Sequence, residues 1–186
     1  MLQRINKTDF LEIYRIMQAS FPDDEYRPYN EQLDLFQEPE YRIYYMPVAG
    51  LDRPGNNSDG NFTMKAAGFL AVWEFEVFIY IEHFAVDQAL RNSGTGSAML
   101  RDLVGKYQKP ICLEVELPED ELTRRRIGFY ERNGFVFNEY PYIQPPISKG
   151  KPPVPLRIMT YGSGITRETF EKMKEVLYRR VYKWGI

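Results

Sequence analysis

Only one cysteine and one histidine occur in the 186 residues. The lone thiol, Cys112, has no partner for an internal disulfide, so the chain does not need an oxidising compartment and a cytoplasmic setting is expected. His83, Cys112 and the carboxylates form no cluster with metal-ligand spacing, and no metal is expected. Charge of one sign is not in excess either. The 24 basic and 26 acidic side chains leave a net charge of -2, which argues against the basic surface that neutralises nucleic-acid phosphates. Long apolar runs are missing, and no window approaches the ~20 residues of a membrane span. The first ten residues, MLQRINKTDF, lack the apolar segment of a secretory signal. Internal repeats and low-complexity stretches are absent too.

What is present suits a globular domain. Hydrophobic residues make up 44% and charged residues 27%. The length fits one domain over 1–186, as a monomer or a homodimer. Aromatics reach 15%, with tyrosine the commonest, enough to serve core, sheet surface and a cleft lining together.

Phe10, Ile13, Tyr14 and Met17 recur at helical spacing, with Thr8 placed to cap and Phe21-Pro22 to stop the helix. A short helix over Tyr29 to Phe36 and a strand over Tyr41 to Val48 follow. The turn formers between Leu51 and Phe62 read as a hairpin loop, with its partner strand over Met64 to Phe75. Val77 to Val86 is a strand, and Leu100, Leu103, Val104 and Tyr107 mark the next helix. Ile111 to Leu117 alternates, putting Leu113 and Val115 on one face and Cys112, Glu114 and Glu116 on the other. A charged helix over Glu121 to Arg132 ends at Asn133-Gly134 in a left-handed cap. Strands over Phe135 to Ile143 and Pro155 to Tyr161 flank a Pro-containing loop. A last helix from Thr166 carries Phe170, Met173, Leu177, Val181 and Trp184 on one stripe.

The strongest chemical signal lies between a strand and a helix: Arg91-Asn92-Ser93-Gly94-Thr95-Gly96-Ser97. A helix N-terminus offers unpaired backbone N–H groups and the positive end of the helix dipole, so anions bind there. Gly94 and Gly96 let the backbone come close to a ligand, Arg91 adds a permanent charge and Ser97 a hydroxyl. By itself this is also an ordinary helix-capping turn. A P-loop is excluded because no Lys-Ser/Thr pair follows the second glycine, and a dinucleotide fingerprint because the third glycine is missing.

Arg91-x-x-Gly94-x-Gly96, directly after Phe84-Ala85-Val86, resembles the Arg/Gln-x-x-Gly-x-Gly/Ala signature of GNAT N-acetyltransferases. Gly128-Phe129-Tyr130-Glu131-Arg132-Asn133-Gly134-Phe135 is similar to the same family's helix-to-strand segment, so the resemblance spans about Phe84 to Phe135. It implies an α+β, three-layer sandwich with a mixed, mostly antiparallel twisted sheet between helices. It implies acetyl-CoA as co-substrate, with its pyrophosphate on residues 91–97 and its pantetheine arm along the backbone of Phe84, Ala85 and Val86. Tyr130 falls where the family commonly places the general acid. A glutamate, often acting through water, would be the base. A functional glutamate in a matching strand of some members favours Glu114. Glu116 and Glu82 are the alternatives, Glu82 on the same face as Tyr80, although the position that aligns best with the base of other members is Tyr80 itself. His83 is turned away from Glu82 by alternation.

Many members begin the later helix with a cofactor-contacting asparagine. This chain has Pro118 to Thr123 there, so that contact is not carried over. Acceptor choice in the family rests on segments corresponding to Ser20–Arg27 and Gln144–Pro153. Glu25, Tyr26, Tyr80 and Glu116 are the candidate substrate residues, and Tyr29, Tyr44 and Tyr45 are further aromatics for the cleft. Nothing here selects among aminoglycoside, polyamine, amino acid and peptide N-terminus. An acyl-CoA sensor without catalysis is the rival reading, and Tyr130 favours the enzyme.

Overall fold

The structure is a computed structural model that describes residues 1–48 and 65–185. The expected loop over Leu51 to Phe62 lies outside the described residues, as does Met64 at the start of its partner strand. The helices and strands run β1 (Gln3–Arg4), α1 (Phe10–Ser20), α2 (Tyr29–Asp34), β2 (Tyr41–Pro47), β3 (Ala66–Glu74) and β4 (Ile79–Val86). Then come α3 (Thr95–Lys106), β5 (Ile111–Glu116), α4 (Glu121–Arg132), β6 (Phe135–Gln144), β7 (Val154–Tyr161) and α5 (Arg167–Val176). The strands form one sheet in the order β1-β2-β3-β4-β5-β7-β6. The β4–β5 pair is parallel and the other neighbours are antiparallel.

Two apolar clusters separate the sheet from its helices. On one face Phe10, Ile13 and Met17 of α1 and Phe170 and Met173 of α5 pack over Phe69, Trp73, Tyr80 and Cys112. On the other, Met99, Leu100 and Leu103 of α3 and Ile127 and Tyr130 of α4 cover Leu70, Val72, Ile81, Leu113 and Val115. This is the expected α+β sandwich. The alternation read in β5 holds, with Leu113 and Val115 in one cluster and Cys112 in the other. β3 is buried through all but its last residue, as befits a central strand covered on both faces.

Three local expectations fail, each for a physical reason. Thr8 does not cap α1; it sits in a 3-10 turn over Lys7–Asp9 that leads straight into the helix. Trp184 leaves the buried stripe and is 55% exposed. The chain continues past α5 as one π turn, Leu177–Val181, in which the Tyr182 N–H donates to the Leu177 carbonyl at 3.1 Å. That five-residue step takes one residue more than an α-turn, so Tyr182 enters the interior in place of Trp184. His83 is not turned away from Glu82. Ala71 pairs with His83 and Val72 with Ile81, leaving Glu82 as an extra residue. This β-bulge breaks the alternation and brings both side chains to the α1 side of the sheet.

Gly68 of β3 lies opposite Val86, where the strands approach closely. A Cβ there would stand 2.5 Å from the Ala85 carbonyl oxygen. Gly68→Ala is therefore expected to lower stability by roughly 1–3 kcal/mol. The check is a urea midpoint with an unchanged m value, and a midpoint equal to the parent's would refute the close approach.

Candidate active site

β4 and β5 pair at Ile79–Ile111, Tyr80–Cys112 and Ile81–Leu113, and no further. Beyond Ile81 the two strands separate and open a cleft of about 1160 Å³ between α3 and α4. Phe84, Ala85 and Val86 line it from one strand, and Leu113 to Glu116 from the other. A parallel pair that parts leaves backbone N–H and C=O groups facing a gap, where an extended ligand can pair with them.

The turn into α3 stands at one end. Asn92 (φ 62°) and Gly94 (φ 82°) both take the left-handed conformation, which glycine reaches without cost. Gly94 is the residue before the helix, so no side chain caps this end. The first intrahelical bond is Ala98 N–H to the Gly94 carbonyl, at 3.0 Å, and the N–H groups of residues 95–97 precede it. Arg91, Asn92, Gly94, Gly96 and Ser97 line the cleft. Ser93 and Thr95 do not; the Ser93 hydroxyl lies 2.6 Å from the Leu90 carbonyl and 2.7 Å from the Thr95 hydroxyl, stitching the turn internally. Arg91 Nε donates to the Val86 carbonyl at 3.3 Å, which ties its cation to the end of β4. Arg124, Arg125 and Arg132 of α4 add positive charge along the same wall. The missing cap, the left-handed glycine and this charge together suit a pyrophosphate.

Five glutamates line the cleft: Glu25, Glu82, Glu114, Glu116 and Glu121. Two of them are already neutralised. Glu82 Oε1 accepts from Arg27 Nη1 at 2.8 Å, with both side chains almost fully buried. Burial alone would raise the Glu82 carboxyl, but Arg27 and His83 bring it down from the ordinary 4.5 to about 2. His83 Nε2 lies 3.0 Å from the Glu25 carbonyl, and its Nδ1 lies 3.5 Å from Glu82 Oε2, short of hydrogen-bond geometry. Glu116 is bound by Arg126.

Among the described residues no cation pairs with Glu114. Its Oε2 accepts from the Tyr80 and Tyr182 hydroxyls at 2.9 and 2.8 Å. Burial pushes its carboxyl up to about 7, with the three tyrosine hydroxyls around it opposing and the Glu82 charge assisting. Glu114 Oε1 and the Tyr142 hydroxyl are both buried without a partner that meets hydrogen-bond geometry, yet this hydroxyl still bears on the carboxyl. Glu25 is raised as well, by burial first and by Glu116 next. Tyr130 of α4 also lines the cleft, its ring packed against Phe84, Phe129 and Phe135. Burial pushes its phenol up to about 12, so it stays protonated near neutrality.

Of the candidate residues, the cleft thus brings together Tyr130, Glu114, Glu82, Glu25, Glu116, the β4 backbone and most of the glycine turn. Tyr26 and Tyr80 stand apart from its lining. The Tyr26 hydroxyl donates to Asp23 Oδ1 at 3.1 Å, while Tyr80 supports Glu114 from within the sheet. Tyr44 and Tyr45 are turned to Glu74 and Gln3, and Tyr29 packs on Phe10 and Tyr14. Arg27, Tyr182 and Tyr142 were missed. Their partners are 55, 68 and 28 positions away in sequence, and no local pattern marks such contacts. Among the described residues no group of three or more His, Cys, Asp or Glu is placed to hold a metal ion. No described helix is long and apolar enough to cross a membrane.

A family model for the acetyltransferase (GNAT) domain matches residues 58–137. A solved structure from Bacteroides thetaiotaomicron, named "Putative acetyltransferase from GNAT family", is 31% identical over 98% of both chains, with a TM-score of 0.84. The chain therefore belongs to the GNAT acetyltransferase superfamily, whose members use acetyl-CoA. "Putative acetyltransferase YjbC" of Bacillus subtilis is 39% identical over 64 residues, a segment that is 33% of this chain and 33% of that protein. Arabidopsis thaliana NAA60 in complex with acetyl-CoA shares the fold, with a TM-score of 0.62 at 16% identity over 87% of this chain and 97% of that one.

The Arg27–Glu82 pair sets a test of stability. Removing the cation leaves a buried carboxylate uncompensated, so Arg27→Met is expected to cost about 3–5 kcal/mol at pH 7 in guanidinium denaturation. In the parent, the depressed Glu82 value gives stability that is present above pH 4.5 and lost as pH falls through about 2. In the variant Glu82 takes up a proton more readily, so the deficit narrows on mild acidification. A deficit that stays constant with pH would show that Glu82 does not carry it.

Proposed function

We propose that this chain transfers the acetyl group of acetyl-CoA to a primary amine of a small molecule or peptide, by direct attack within the cleft between β4 and β5. The observation that carries this reading is the pairing of unlike chemistry in one cleft. An uncapped helix N-terminus suited to phosphates and, from the two walls, a carboxyl poised near neutrality and a protonated phenol all line it.

Acetyl-CoA, when bound, supplies an activated acyl carbon and a leaving thiolate. The amine must first be neutral, and a lysine-like amine of pKa about 10.4 needs roughly 4–5 kcal/mol to be so at pH 7. Glu114 takes that proton, directly or through water, because its carboxyl is poised near neutrality. Glu82 does not compete, since Arg27 holds it ionised and occupied. The nitrogen lone pair then forms the C–N bond, and the carbonyl oxygen gains charge. The backbone of Phe84 to Val86, unpaired toward β5, donates to that oxygen. As the C–S bond breaks, Tyr130 passes its phenolic proton to sulfur, and the second proton that the nitrogen sheds in becoming an amide restores the phenol. A free thiol of pKa about 8.5 is more acidic than this phenol, but the burial that raises the phenol also raises a thiol in the same cleft. Arg91 and the N–H groups of residues 95–97, with Asn92 and Ser97 beside them, hold the pyrophosphate. Glu25 and Glu116 line the acceptor side.

Calorimetry with acetyl-CoA, followed by an amine panel scored by free-thiol release, tests the reading. Binding without turnover on any amine would favour a sensor, and no binding would sink both readings. Tyr130→Phe is expected to lower kcat about 100-fold or more with acetyl-CoA affinity nearly unchanged. The parent's kcat/KM should rise with pH through about 7, and Glu114→Gln should abolish that rise.

A further inference from the structure

We propose that the π turn after α5 belongs to the catalytic apparatus, with Tyr182 a positioning residue that, together with Tyr80, fixes one oxygen of Glu114 and leaves the other as the proton acceptor. The inference rests on Glu114 being the base.

Three oxygens make a closed triangle: Tyr80 OH to Glu114 Oε2 at 2.9 Å, Tyr182 OH to the same atom at 2.8 Å, and the two hydroxyls 2.8 Å apart. Two phenols hold two protons for three short contacts. While Glu114 is ionised, both protons are best placed on its oxygen, because hydrogen bonds to a charged acceptor are the stronger ones. Oε2 is then saturated, and Oε1, buried and with the Tyr142 hydroxyl as its remaining neighbour, is the atom left with free acceptor capacity. Both phenols are themselves held well above the ordinary tyrosine value, by burial first and by the Glu114 charge next, and so act as donors only.

Tyr182 reaches this place only because of the π turn, and that turn is pinned. Arg27 Nη2 donates to the Val181 carbonyl at 3.3 Å, Arg180 pairs with Glu40 and Lys183 with Glu38, each at 2.6 Å. The Arg27 that neutralises Glu82 thus also anchors the turn that fixes Glu114. The groups that face or act on Glu114 are Tyr80 and Glu82 from β4, Cys112 within β5, Tyr142 from β6, and Tyr178 and Tyr182 from the C-terminal turn. Arg27 is the cation behind Glu82. None of the others supplies Oε2 with a donor, so losing Tyr182 leaves Tyr80 alone.

Removing one donor to a carboxylate favours its protonated form. Tyr182→Phe is therefore expected to move the acid limb of kcat/KM upward by about one pH unit. The KM for acetyl-CoA should stay close to the parent's. Tyr80→Phe, which removes the other donor, should shift the limb in the same direction and provides the test if Tyr182→Phe does not fold. The titration of the Glu114 side-chain carbonyl, followed by carbon-13 NMR, reads the same shift without turnover. A lower Tm and plateau with the limb and the NMR titration unmoved would mean that Tyr182 is only packing, and would overturn the inference. If Glu114→Gln leaves the limb in place, the base assignment is what fails, and the NMR titration of Glu114 in Tyr182→Phe still decides the positioning role.

Discussion

The separation of β4 from β5 after Ile81 is the constraint on which the rest of the site depends. Two parallel strands that stayed paired would consume their own backbone groups and close the sheet. Here a bulge at Glu82 adds a residue to β4 just where the pairing ends. The bulge changes which side chains face α1, and the separation makes room between α3 and α4. The glycine turn then sits at the end of β4 with its helix N-terminus toward the cleft. The cleft follows from how two strands stop pairing, and its chemistry is set by what lines the gap.

That lining sorts three of its carboxylates into unlike states. Glu82 and Glu116 each have an arginine, whereas Glu114 has only hydroxyls. A buried carboxyl with a cation stays ionised across the working range, and one with neutral donors moves toward neutrality. Neighbouring acids driven apart in this way can take separate roles, one as fixed charge and one as proton carrier. The Glu82 charge contributes to the division, since it raises Glu114 while Arg27 keeps it from accepting a proton itself.

Local pattern made part of this legible. Arg91, Gly94 and Gly96 could be read because a phosphate-suited turn is built from contiguous residues, and Tyr130 because it lies in a short segment that ends a helix. The two faces of β5 followed from alternation alone. Where the chain departs from regular geometry, reading failed. The bulge put His83 beside Glu82 against the alternation, and the π turn replaced Trp184 by Tyr182. Arg27 was hidden for another reason: it sits in a run with Asp23, Asp24 and Glu25 that reads as a solvated loop, yet its side chain turns inward to Glu82. Irregular turns and long-range pairs are where this sequence is least predictable and where most of the site's tuning resides.

The two groups proposed to move protons are anchored in different halves of the molecule. Tyr130 belongs to the cluster under α3 and α4, and the tyrosines that hold Glu114 belong to the cluster under α1 and α5. The sheet separates those clusters everywhere except at the gap between β4 and β5. A proton taken on one side and one given on the other can thus be linked only through the molecule that lies in the gap. Such an arrangement suits acyl transfer, in which the attacking nitrogen loses a proton on one side of the reacting carbon and the leaving sulfur gains one on the other. It also prevents a direct short circuit, since no hydrogen bond joins Tyr130 to the Glu114 triangle among the described residues. On the proposed roles, the sheet keeps acid and base apart, and the gap between β4 and β5 is the one place where the bound substrates would join them.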